Sequence, residues 1–164
     1  MSKKRIFSSI KEYEASDSVE HMGFNEPRLR KKYGNHVHNA VVGGKDCKFD
    51  SDGEHKLADY LQLLKEQGYI KDWERESHSF ILMDTSWKID FTIRNNDDSF
   101  EYYEYKGAVE PRTRKLINQT MEFHPQAQIT MVMANKKGIE KLGVRARSKC
   151  KRVCLLKDLT KGIV

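Results

Sequence analysis

Residues 87–106 constrain the fold most tightly, because two runs of alternating apolar and polar residues are separated by only a short polar turn. In WKIDFTI, the two-residue period of a strand sends Trp87, Ile89, Phe91 and Ile93 to one face and Lys88, Asp90 and Thr92 to the other. In FEYYEYK, the same period sets Glu104 and Lys106 opposite Tyr103 and Tyr105. The intervening RNNDDS is turn-forming, so the runs are expected to pair as a hairpin that gathers Asp90, Glu104 and Lys106. Two carboxylates so placed suit a hard cation such as Mg²⁺, which prefers oxygen ligands and keeps several waters. A neighbouring lysine can orient a water and stabilise developing negative charge. Alternating charges on the solvated face of a sheet are common as well, so the triad needs support from elsewhere in the chain.

Support comes from residues 52–67, where Leu57, Leu61 and Leu64 recur at i, i+4 and i+7 and predict a helix stopped by Gly68. Three residues before Leu57 stands Glu54, a carboxylate at the head of the buried stripe, where charge is costly unless paired or bound to a metal. Ser51-Asp52-Gly53-Glu54 also fits a capping box, in which Glu54 bonds back to the Ser51 amide. Both readings stand at this point, and the presence of Asp90 and Glu-x-Lys favours the ligand one.

The remaining elements follow from pattern. A strand or hairpin is expected around Val41-Val42-Gly43-Gly44 and strands near residues 79–83, 87–93 and 100–106. A helix over 112–123, ended before Pro125, leads to a strand at 128–133, a short helix at 137–142 and a last strand at 152–156. Such an order predicts an α/β fold with a central mixed β-sheet flanked by helices.

A chain of 164 residues with 38% apolar content suits one core. Of its net charge of +6, residues 135–164 carry +8, with ten Lys/Arg against Glu140 and Asp158, and residues 1–134 carry −2. The concentration of cations at the C-terminal end suits a polyanionic partner, since neutralising phosphates releases counterions; a solvated tail is the plainer alternative. No apolar run or amphipathic segment points to a membrane. The basic N-terminus lacks the apolar stretch of a secretory signal, and Cys47, Cys150 and Cys154 are odd in number. A cytoplasmic protein in a reducing compartment is therefore expected. Cys154 is expected in a buried late strand rather than in a zinc site. The histidines read as scattered, with His55 beside Glu54 the one of interest.

The order of these motifs, glutamate on the first helix, aspartate on a strand and Glu104-Tyr105-Lys106 on the next, resembles the PD-(D/E)xK nucleases. Finer similarity, to small phage-associated nucleases related to the endonuclease I type of Holliday junction resolvases, is carried by KKYGN (31–35), KFDSDGE (48–54), GYIKDWE (68–74), DF and EYKG. Ile89 departs from the pattern, standing where the signature proline would precede Asp90.

The resemblance implies a restriction-endonuclease-like core and a Mg²⁺-dependent endodeoxyribonuclease, with Mn²⁺ able to substitute, acting on branched DNA as a homodimer. Asp90 and Glu104 would be metal ligands, helped by the Tyr105 carbonyl and by Glu54. Lys106 would sit beside the attacking water, as ammonium if the carboxylates dominate and as free amine if burial does. DNA contacts are expected from Arg28, Arg30, Lys31 and Lys32, from Arg112, Arg114, Lys115 and Gln119, and from Arg145, Arg147, Lys149 and Lys151. In domain terms, residues 1–35 form an arm, 36–134 the nuclease core and 135–164 a basic extension completing it. The alternatives are a head-completion, packaging or restriction-like nuclease, or a DNA-binding module that keeps the fold without catalysis.

Overall fold

A computed structural model describes residues 36–161; the expected arm, with Arg28, Arg30, Lys31 and Lys32, lies outside the described residues. Gly43 and Gly44 take the positive φ values, 57° and 78°, of a tight two-residue turn. They close an antiparallel hairpin of β1 (His38–Val42) and β2 (Lys45–Phe49). Ser51 caps α1 (Asp52–Glu66) by accepting a hydrogen bond from the Glu54 amide, and Gly68, at φ 75°, follows its last turn. Next come β3 (Asp72–Arg75), β4 (Ser79–Ile81), β5 (Ser86–Lys88), β6 (Phe91–Arg94) and β7 (Phe100–Lys106). The chain continues through α2 (Pro111–Phe123), β8 (Ile129–Met133), α3 (Lys136–Leu142), α4 (Val144–Arg147), β9 (Arg152–Leu155) and α5 (Leu156–Leu159). No helix among the described residues is long and apolar enough to cross a membrane.

The fold is mixed α/β. Its main sheet has the order β3-β6-β7-β8-β9, antiparallel across β3, β6 and β7 and parallel across β7, β8 and β9. Two cores form. Leu57 and Leu61 of α1 pack with Trp73, Phe91, Ile93 and Val132. Leu116 and Ile117 of α2 pack with Trp87, Ile89, Met131 and Met133. All five residues of β8 are buried, as befits a strand covered on both faces.

One expectation is corrected here, and the correction builds the site. Residues 87–93 are two strands, not one: β5 pairs with β4, while β6 pairs with β3 and β7. Trp87 and Ile89 therefore enter one core and Phe91 and Ile93 the other, instead of sharing a face. A run of uniform alternation cannot tell these cases apart, since both bury the same four side chains. Strand β3 also escapes the pattern, because in DWER only Trp73 is buried.

Asp72 ties three elements together. Its Oδ1 accepts from Lys45 Nζ at 3.0 Å and from Lys65 Nζ at 2.9 Å, and its carboxylate caps the Trp73 amide at 2.8 Å. Burial opposes the charge, yet these donors outweigh it and hold Asp72 down to about 2. A depressed folded pKa contributes stability above the ordinary value of 3.8 that is lost as pH falls through about 2. Asp72→Asn should therefore leave a shallower loss of stability in that window, a modest effect because the side chain is 42% exposed. Urea midpoints measured down the acid range would show it, and identical acid slopes for the two proteins would contradict it.

Candidate active site

The break at Ile89–Asp90 sets Asp90 against β7. The Asp90 amide donates to Glu104 Oε2 at 3.1 Å, and the Tyr105 amide donates to Asp90 Oδ2 at 2.8 Å. Glu104 is 1% exposed. Its Oε1 accepts from Trp87 Nε1 at 3.4 Å and is ion-paired with Lys106. The three residues expected to meet thus do so.

Their electrostatics follow from burial. Asp90 is pushed well above the ordinary carboxylate value, first by desolvation and then by Glu104 beside it, with Glu54 adding to the effect. Glu104 is raised by its own burial, against the pull of Lys106. For Lys106, burial disfavours the charge, but Glu104 and Asp90 outweigh it and raise the amine above the lysine norm. Of the two protonation states left open above, the ammonium prevails.

Glu54 reaches this region through a close approach of α1 to β7. A Cβ on Gly53 would run into the end of the Tyr105 ring, so any larger residue there would have to displace that ring. Capping is met in part: Ser51 Oγ accepts from the Glu54 amide at 3.2 Å. The Glu54 carboxylate, however, accepts from the Asp50 amide and the Ser51 hydroxyl, each at 3.3 Å, rather than from the Ser51 amide.

Its strongest partner is Arg75, at 3.0 Å, a residue that sequence reading missed. Arg75 also pairs with Glu76 at 2.8 Å and lies over the Phe49 ring at 5.5 Å. Both members of the Glu54–Arg75 pair are 12% exposed, and removing one partner from so buried a pair costs about 3–5 kcal/mol. Nothing in WERE marks Arg75, because its partner is supplied by a different element.

The expected DNA contacts divide between the two ends of the sheet. Arg112 and Arg114 are exposed in the first turns of α2, just beyond Lys106. Lys115 pairs with Asp84 at 3.2 Å, and Gln119 has a buried Oε1 with no hydrogen-bond partner. Lys136 and Lys137, exposed at the start of α3, were not anticipated. Arg145 and Arg147 lie on α4, and Lys149 and Lys151 lead into β9. Lys151 is ion-paired with Glu101 near the opposite end of β7 from Lys106.

Nor are the histidines scattered. His38 Nε2 and His55 Nδ1 meet at 2.9 Å, and His78 and His124 flank one aromatic cleft.

Among the described residues, no three His, Cys, Asp or Glu side chains gather as a cation site. The donor chemistry nevertheless suits a hard cation at Asp90 and Glu104, two oxygen donors whose enforced proximity a divalent ion would relieve. Glu54, turned to Arg75, is not offered in the same way. No protein family, curated protein or solved structure matches this chain.

A raised folded pKa means that ionised Asp90 opposes folding, by an amount absent below the ordinary carboxylate value and growing as pH rises above it. Without divalent cations, Asp90→Asn should melt higher at neutral pH, by roughly 2–4 °C for each kcal/mol relieved. The gain should vanish in acid. Calorimetry of the two proteins in EDTA across pH tests this, and a lower melting temperature for the variant at neutral pH would show that the charge supports the fold.

Proposed function

We propose that this chain is a divalent-cation-dependent DNA endonuclease of the PD-(D/E)xK kind on a restriction-endonuclease-like core, acting on branched DNA as a homodimer. The observation that carries the reading is the buried Asp90–Glu104 carboxylate pair with the Lys106 ammonium against it. A core that needed only packing would gain nothing from this arrangement, since isolated carboxylates are expensive to bury.

Asp90 and Glu104 would hold Mg²⁺, or Mn²⁺ in its place, with the Tyr105 carbonyl as a further oxygen donor. Bound there, the cation would supply Lewis-acid polarisation of the scissile phosphate. Lys106, ion-paired with Glu104, would sit beside the attacking water, where it would orient that water and stabilise charge building on the phosphate. Arg75 holds Glu54 toward the same region, where its charge bears on both Asp90 and Lys106. Exposed Arg112 and Arg114, close in sequence to Lys106, are suited to flanking phosphates. A two-fold dimer would place two such centres symmetrically, as paired cuts across a junction require.

One rival has support. Glu104 and Glu54 are already paired with Lys106 and Arg75, which also fits a DNA-binding module without catalysis.

The readings part on cleavage of four-way, flap, duplex and single-stranded DNA in Mg²⁺ or EDTA. Wild type should cut in Mg²⁺ alone, and the preferred substrate separates junction resolution from packaging or restriction-like cleavage. Asp90→Asn and Glu104→Gln should abolish cleavage while DNA binding persists, and Lys106→Ala should slow it by about 10²–10³-fold. Full Mg²⁺-dependent turnover in either carboxylate variant would remove the proposed site. Arg112→Gln with Arg114→Gln should flatten the dependence of log Kd on log salt by roughly one for each phosphate no longer neutralised. An unchanged slope would move the DNA path elsewhere.

A further inference from the structure

Alternate residues of β7 run from Lys106 and Glu104 back through Tyr102 to Phe100, where the surface opens into an aromatic cleft of about 370 Å³. Its walls include His78, Phe80, Phe100, Tyr102, His124 and Gln126. The rings are packed against one another: Phe80 and His78 each lie 4.8 Å from Tyr102, and His124 lies 5.3 Å from Phe80. His124 Nε2 is fixed on the Ile81 carbonyl at 2.8 Å. Burial, then His124, pushes the His78 pKa down, which leaves an uncharged ring. Phe100 is 51% exposed at the edge of the cleft. Rigid rings around an open slot, with an amide at the rim, suit a flat heteroaromatic group.

A second observation says what that group is attached to. The Tyr102 amide bonds the Gln128 carbonyl, and the Lys151 amide bonds the Ile129 carbonyl at 2.8 Å. Lys149 and Lys151 therefore border the strand end where Gln126 and Ala127 line the cleft. Glu101, the acidic group of β7 at this end, is already taken up by Lys151. Stacking surface edged by cations is how proteins hold single strands, with bases on rings and phosphates on Lys and Arg.

We infer that the cleft receives an unpaired base of a DNA strand whose phosphates lie along Lys149 and Lys151. The substrate is then branched DNA that carries an unpaired arm; this statement about substrate rests on the nuclease reading above and narrows it. Phe100 lies four residues from Glu104 on β7, a span of about 13 Å. That is about four stacked nucleotides.

The test separates the two readings by omitting the metal. Fluorescence anisotropy in EDTA measures binding of the full chain to labelled oligothymidine of about eight nucleotides, within the length one fold covers. The same strand, fully paired, is the comparison. Wild type should prefer the single strand. Phe100→Ala and Tyr102→Leu should each weaken that binding about tenfold, with paired DNA little changed, and Tyr102→Phe should restore it. Melting curves confirm that the variants fold.

Loss in the two truncated variants with rescue by phenylalanine upholds the cleft even if wild type never cuts DNA. Equal affinity for paired and unpaired strands, or no effect of either truncation in a folded protein, overturns it even if Mg²⁺-dependent cleavage is robust. Where cleavage occurs, lengthening an unpaired arm from none to about four nucleotides should raise it in wild type and not in Phe100→Ala; an equal response in both would also overturn it.

Discussion

Two backbone hydrogen bonds anchor everything proposed for this chain: Asp90 N–H to the Glu104 carboxylate, and Tyr105 N–H to the Asp90 carboxylate. They form because the chain leaves β5 and re-enters the main sheet as β6, with Asp90 at the crossing. Two apolar pairs must go to different cores, and the turn that sends them there brings a charged residue inside with them. The carboxylate pair is thus a consequence of how the two hydrophobic faces are shared out. The crossing is held by bonds to two adjacent residues of β7, so Asp90 cannot move without disturbing Glu104.

Burying like charges side by side conflicts with folding, and the surroundings answer the conflict unequally. Lys106 partners Glu104 and Arg75 partners Glu54, whereas among the described residues Asp90 receives a backbone amide and no cation within salt-bridge range. Its carboxyl group is the least compensated of the three, which is why its pKa stands well above the ordinary value. In the proposed function, a cation bound at Asp90 would offset that cost. Arg75 and Lys106 hold the remaining carboxylates in place without neutralising Asp90.

The sheet has two chemically different ends. One gathers carboxylates, Lys106 and the exposed starts of α2 and α3, with Arg112, Arg114, Lys136 and Lys137. The other gathers aromatic rings and the cations that precede and open β9. Parallel strands β7, β8 and β9 produce this division, because each crossover begins at one end and returns to the other. The basic C-terminal segment therefore supplies charge to both ends, which a net charge summed over residues 135–164 conceals.

Much of this was legible in residue order. Period-two alternation located β7, the leucine spacing located α1, and Gly43-Gly44 marked its hairpin, because each is a local pattern with a local cause. Asp90, Glu104 and Lys106 were likewise found as a set, since two strands joined by a short turn have few ways to pair. Arg75 was invisible: its pairing with Glu54 spans 21 positions and joins α1 to β3, a strand with a single buried residue. The His38–His55 contact and the cleft around Tyr102 were missed for the same reason, being meetings of elements distant along the chain. Whether Lys106 is charged was also beyond sequence, because burial and carboxylates pull in opposite directions and only their relative distances in the folded chain decide. Sequence alone determined the elements and the acidic and basic side chains they carry; tertiary structure decided which core each apolar pair joins, and with it which charges are buried together.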